Sequence, residues 1–166
     1  MGARNITEQV VYLIRDRLRQ EMPQALQRVR ADRSDAAVNT EVPKSYFVYA
    51  PVQAFLTPAV IVICDNVDMK LEKGQNFINC EQTGMISFVV EERDLERLQR
   101  KAWRYQDAGF EVIDRWVAEG ADFKFTVRIE RMRFSEDLSM KGDAQTESVF
   151  RKEVVLDFRV YHFQQE

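Results

Sequence analysis

The segment Pro58-Ala59-Val60-Ile61-Val62-Ile63-Cys64 constrains the fold more than any other stretch of this chain. Proline opens it, every residue after that is apolar, and Val60 to Ile63 are all β-branched. Such a run fits a strand buried on both faces or nearly so. A strand of that kind needs other strands beside it and helices or a second layer above it. Met85-Ile86-Ser87-Phe88-Val89-Val90 reads as a second strand. Phe123, Phe125, Val127 and Ile129 alternate with Lys124, Thr126, Arg128 and Glu130, which describes a half-buried strand with one wet face. Val154, Leu156, Phe158 and Val160 alternate with Glu153, Val155, Asp157 and Arg159 as the last strand. Tyr46-Phe47-Val48-Tyr49 fits a short strand or an extended arm, ended by Pro51.

Helical spacing marks the cover. Val10, Val11, Leu13, Ile14, Leu18 and Met22 recur at three- and four-residue steps behind an Asn5–Glu8 capping box. Pro23 has no N–H to give to a helix interior, so the spacing predicts a bend at Met22-Pro23. A second short helix then carries Ala25, Leu26 and Val29. Asp94 caps a further helix with the stripe Leu95, Leu98, Ala102, Tyr105, Val112, Ile113 and Trp116, ended by Gly120. Gly109 inside it points to close packing of that helix on the sheet.

Three stretches carry no sustained period: residues 30–45, 65–84 and 135–148. Connections usually run about 4–6 residues, so these read as lids or as arms that reach a neighbour. The expected architecture is a single α+β domain over 1–166. It has a mainly antiparallel four- to five-stranded sheet, helices packed on one face, and long loop arms. No apolar run is long enough for a transmembrane helix, and the start of the chain lacks the order of a signal peptide. Synthesis in the cytoplasm follows as the expectation.

The chemistry-bearing residues are few. There is one histidine, His162, and two cysteines, Cys64 and Cys80, which cannot by themselves close a Cys/His zinc site. None of the six glycines falls in a phosphate-binding pattern, and no G-x-S-x-G or H-E-x-x-H is present. Asp65 and Asp68 at the exit of the apolar strand offer oxygen ligands for a cation, but a polar loop start explains them as well. Cys64 continues the buried run as a small core residue, and His162 ends the face of Val154 to Val160. No catalytic, cofactor or metal site is assigned.

Charge turns attention to partners. With 24 basic and 27 acidic residues the net charge is −3, against a protein that lives on phosphate attraction. Arginine outnumbers lysine 17 to 7, and arginine suits planar ion pairs across interfaces. The helix arginines Arg15, Arg19, Arg97, Arg100 and Arg104 are candidates for such lateral pairs, on the wet sides of their helices. The arms carry the isolated apolar residues Val38, Val42, Met69, Leu71, Phe77, Ile78, Leu138 and Met140, and the last six are candidates for contact with a neighbour.

Taken in order, these features resemble a known family. They are the Met22-Pro23 break, the Pro51…Pro58-Ala-Val-Ile-Val-Ile strand, Met85-Ile-Ser-Phe-Val-Val, the helix with Trp103-Arg104-Tyr105, and the closing Arg151-Lys-Glu-Val-Val-Leu-Asp-Phe-Arg-Val-Tyr. Over nearly the whole chain this is similar to the tail terminator (tail completion) and neck proteins of long-tailed bacteriophages. The resemblance implies a structural virion protein without catalytic residues, forming a hexameric ring on the head-proximal end of the tail tube. It implies contacts with the tail tube protein and the head connector, with DNA passing through the ring without sequence-specific binding. The competing expectations are another head–tail connector component, or a small cytoplasmic binding module or enzyme using Asp65, Asp68 and His162.

Overall fold

The computed structural model describes residues 3–33, 40–71, 78–119, 124–135, 138–140 and 149–163. Its elements are α1 (Ala3–Arg33), β1 (Ser45–Phe47), β2 (Ala59–Leu71), β3 (Ile78–Glu92), α2 (Leu95–Ile113), β4 (Trp116–Glu119), β5 (Lys124–Phe134), β6 (Leu138–Met140) and β7 (Val149–Phe163). The fold is α+β. The sheet runs β1-β2-β3-β7-β5-β4, with β6 also paired to β7. Every pairing is antiparallel except β1 with β2. Seven strands exceed the four to five expected, because β4 and β6 are only four and three residues long and leave no readable period.

The break into two helices expected at Met22-Pro23 does not occur: α1 is one continuous helix with Pro23 inside it. Val10, Ile14, Leu18, Met22, Ala25, Leu26 and Val29 form one buried stripe across the proline. Burying each large apolar side chain is worth about 1.5–3 kcal/mol. A proline inside a helix costs roughly 3 kcal/mol, so the stripe prevails. Asn5, expected as a cap, lies within the helix.

α2 begins as expected, with the Asp94 carboxylate accepting from the Arg97 backbone N–H at 2.8 Å. It ends earlier than expected, at Ile113, with Asp114 as its C-cap. Arg115 takes the left-handed backbone (φ 58) that Gly120 was expected to supply, and Gly120 itself lies outside the described residues. Trp116 therefore leaves the helix and opens β4, where its ring sits edge-on to Phe125. Gly109 does mark close packing, since a Cβ there would stand 2.6 Å from the Phe88 ring.

The expected 65–84 loop is a hairpin. β2 runs on to Leu71 and β3 starts at Ile78, paired from Asn66↔Thr83 to Leu71↔Ile78. A bulge between Cys64 and Asn66 faces Gly84, where a Cβ would run into the Ile63 carbonyl and stand 2.6 Å from Phe158. Glycine is thus required where the ladder bends. Within 135–148, β6 pairs its three residues with β7, while 136–137 and 141–148 lie outside the described residues. Within 30–45, α1 extends to Arg33 and 34–39 lie outside them.

α1 and α2 pack on each other and on one face of β2, β3, β5 and β7. Val60, Val62, Ile86, Phe88, Val154, Leu156, Phe158, Phe125 and Val127 fill that layer. A smaller cluster of Ala59, Ile61 and Val89 lies on the other face, covered by Phe47 and Phe55.

Candidate interaction surfaces

Strand parity sends Glu91, Ser87, Glu153, Asp157, Arg133 and Arg159 to the face the helices do not cover. Directly opposite residues of an antiparallel pair share a face, so their charges meet across strands. Arg151 bonds Glu91 at 2.5 Å, Ser87 donates to Glu153 at 3.2 Å, and Arg133 pairs with Asp157 at 2.9 Å. Arg159 bridges Glu81 at 3.0 Å and Glu130 at 2.7 Å. Arg128 stands opposite Arg159 in the register, a like-charge pair relieved by those two carboxylates and by the Tyr161 ring under Arg128. The Asp157 carboxylate, by hydrogen bonding, holds Arg133 above its ordinary range, and Glu130 does the same for Arg159. The hydrogen bond from Lys124 lowers Glu119 at the end of β4. The outer face is a ladder of both signs.

An apolar strap crosses one border of this face. Phe47 and Phe55 meet edge-to-face at 5.4 Å, and the Arg151 guanidinium lies over Phe55. With its root so anchored, the strap leaves Tyr49, Val52 and Leu56 61%, 98% and 68% exposed.

The two sheet edges differ. β1 covers β2 only at Ala59–Ile61, so beyond Ile61 no strand lies on that side of β2 among the described residues. Against that edge, Thr7, Glu8, Val11 and Tyr12 of α1 with Val48, Ile63 and Cys64 line an open groove of about 400 Å³. On the far side β4 covers β5 over Lys124–Val127, and the Asp114 carboxylate takes the Ile129 N–H. From Glu130 to Phe134 no strand lies beside β5 there among the described residues.

The helix arginines divide. Arg15 pairs with Asp16 and lies over Tyr12, Arg19 lies over Tyr46, and Arg100 pairs with Glu96. Arg97 is exposed on the first turn of α2. Arg104, expected on a wet side, is 2% exposed because α2 packs on both the sheet and α1, which widens its buried arc. Leu95, expected in the core, is 48% exposed on the first turn. Interhelical pairs join Arg28 to Glu111 and Arg33 to Asp107, a linkage that no local spacing announces. Glu92 is raised by burial, but the hydrogen bond and charge of Lys101 prevail and hold it below its ordinary range. Burial pushes the Tyr46 phenol up to about 12 against the pull of Arg19, and pushes Tyr105 up further. Tyr105 donates to the Glu41 carbonyl and pins the chain entering β1.

Of the arm residues, Leu71 pairs with Ile78 and Met69 with Cys80 in the hairpin, while Leu138 and Met140 pair with Arg151 and Val149. Phe77 lies outside the described residues. Asp65 accepts from Thr83 at 3.4 Å and Asp68 stands opposite Glu81 in the register. No group of three or more metal-ligating side chains occurs among the described residues. His162 pairs with Phe125 in the sheet, on β7, with β3 between it and the strand that carries both aspartates. Among the described residues no helix is long and apolar enough to cross a membrane.

These features define an α+β chain with a two-signed sheet face, an exposed apolar strap and, among the described residues, two partly open sheet edges. No family model matches it, and no curated protein does. A chain of a solved structure described as the virion of a native gene transfer agent particle is similar over 86% of this chain and 93% of its own, at 13% identity and a TM-score of 0.38.

Proposed function

We propose that this chain is a structural subunit of a phage-like particle, acting as a tail terminator. Copies close into a hexameric ring on the head-proximal end of the tail tube, stop its growth, and present a face to the head connector. The observation that carries the reading is the pair of unlike edges, each partly uncovered among the described residues, on one helix-backed sheet. A contact between two different patches of one chain is heterologous, and a heterologous contact with the right rotation closes into a ring. Ring closure uses up both edges, leaving only the faces above and below for the tube and the connector. The charged outer face, with both signs interleaved, suits a wall past which DNA slides without sticking, because no one-signed field builds up. A non-enzymatic role accords with surfaces that carry the chain's distinctive groups.

Light scattering after size exclusion, with electron microscopy of the purified protein, tests the ring. Particles lacking the protein test the terminator role, which predicts overlong or headless tails. Tails of normal length joined to heads would overturn it.

A further inference from the structure

We infer that the strap from Tyr49 to Leu56 is a hinged cover. It lifts as a unit from the outer face of the sheet and bares a latent apolar patch while the helix-side core stays closed. The inference goes beyond the ring reading and does not rest on it, so either can fail without the other.

The patch is Ala59, Ile61 and Val89, a buried cluster separate from the main core. Strand parity sets it on the face of Ser87, Glu91, Glu153 and Arg151, so left open it would be an apolar island among polar and charged groups. Phe47 and Phe55 pack over it. Phe47 belongs to β1 and is fixed by its pairing with Ile61, whereas Phe55 belongs to the strap. Closed, the strap hides the patch; open, it bares the patch and its own inner side together.

The attachments of the strap are side chains. Between Tyr49 and Leu56 no backbone–backbone hydrogen bond ties it down among the described residues. What holds it converges on one carboxylate. Arg151 Nε donates to Glu91 Oε1 at 2.9 Å, and the same guanidinium lies 5.3 Å from the centre of the Phe55 ring. Thr57 Oγ1 donates to Glu91 Oε2 at 3.0 Å, and the Phe47–Phe55 edge contact completes the set. The Glu91 and Arg151 side chains are 24% and 23% exposed, so water competes for the pair. Both ends of the strap are firm: β1 is in the ladder, and the Pro58 carbonyl accepts from the Lys44 N–H at 2.7 Å just before β2 begins. The hinges therefore fall after Phe47 and before Pro58. A segment anchored by a few side chains opens at lower free energy than the strands beneath it.

The sheet supplies its own control, because Val60 lies between Ala59 and Ile61 but faces the main core. In the full chain with Cys64→Ser and Cys80→Ser, a single thiol is placed by Val89→Cys or by Val60→Cys. Its reaction with a maleimide is timed after far-UV circular dichroism confirms folding. The rate at Val89→Cys is expected to exceed that at Val60→Cys about tenfold or more, since the first needs only the strap to lift. Glu91→Gln should raise the first rate roughly threefold to tenfold and leave the second within about twofold. Added salt should act in the same direction on the chain with Glu91 intact, because it screens the Glu91–Arg151 pair. Equal rates at the two sites would mean that the patch opens only with the whole domain, which overturns the cover. A rate at Val89→Cys that neither Glu91→Gln nor salt raises overturns it as well.

Discussion

On the face covered by α1 and α2, Val60, Ile86, Phe88, Val154, Leu156 and Phe158 are at most 1% exposed. On the opposite face of the same strands, Glu91–Arg151, Asp157–Arg133 and Glu81–Arg159–Glu130 form ion pairs in partial contact with water. The contrast separates two tasks. Each apolar side chain on the helix face contributes about 1.5–3 kcal/mol by burial, whereas an exposed ion pair contributes about 0–1 kcal/mol. The charged face therefore adds little to holding the chain together. What it supplies is register, solubility of an uncovered sheet face, and selectivity toward whatever lies against it.

The largest expected effect tests the helix face. Phe88 is 1% exposed and packs beneath Gly109 and against Tyr105. Phe88→Ala removes that filling and should cost about 3–5 kcal/mol in chemical denaturation. A loss below about 1 kcal/mol would mean that α2 is not held by the sheet and would erase the contrast between the faces.

An intermediate effect is expected where the two kinds of surface meet. Arg151 joins the Glu91 carboxylate and lies over Phe55, so it ties the strap to the charged ladder. Arg151→Ala should cost about 1–2 kcal/mol, combining a part-buried pair with a cation–π contact. Protease cleavage within 49–56 should quicken by a larger factor than global unfolding does. Equal acceleration of both would show that the strap is not separately anchored.

Acid should expose a smaller term. The folded-state carboxyl of Glu92 lies below its ordinary value of 4.5, so Glu92 adds stability above that pH and loses it as pH falls through the lowered value. Glu92→Gln should leave a shallower loss of stability below about pH 4.5 than the parent shows, with little change in slope at neutral pH. An unchanged acid limb would assign that limb to other carboxylates.

How far the sequence carried this picture depends on the length of each element and on where its neighbours come from. The apolar run at 59–64 and the alternation at 154–160 were legible because burial there follows one strand's own parity. Asp94 and Gly109 were legible because a cap and a close approach are local. The β2–β3 hairpin was not, because the short alternation of Val67, Met69 and Leu71 with Asn66, Asp68 and Lys70 runs into the polar, glycine-containing stretch after it, which reads as a loop. Continuity of α1 through Pro23 depended on a stripe buried by other elements. Arg104 was misplaced for the same reason: a helix packed on two sides buries more than one stripe. The groove at β2 joins residues 7–12, 48 and 63–64, and no spacing rule brings them together.

The smallest effect lies at the turn that separates α2 from the sheet edge. Arg115 holds φ at 58, with its N–H bonded to the Val127 carbonyl at 2.8 Å, so the backbone there cannot relax without losing the start of β4. A side chain in the left-handed region costs roughly 1–2 kcal/mol, and glycine gives back about 0.5–1 kcal/mol of that through its greater freedom when unfolded. Its side chain is 81% exposed and meets Asp114 only at 3.6 Å, so little is lost by removing it. Arg115→Gly should therefore raise stability by about 0.5–1 kcal/mol, seen as a higher denaturation midpoint with an unchanged slope. A drop instead would place the Arg115 guanidinium among the groups that hold β4 on the sheet, and would extend the charged face around its edge.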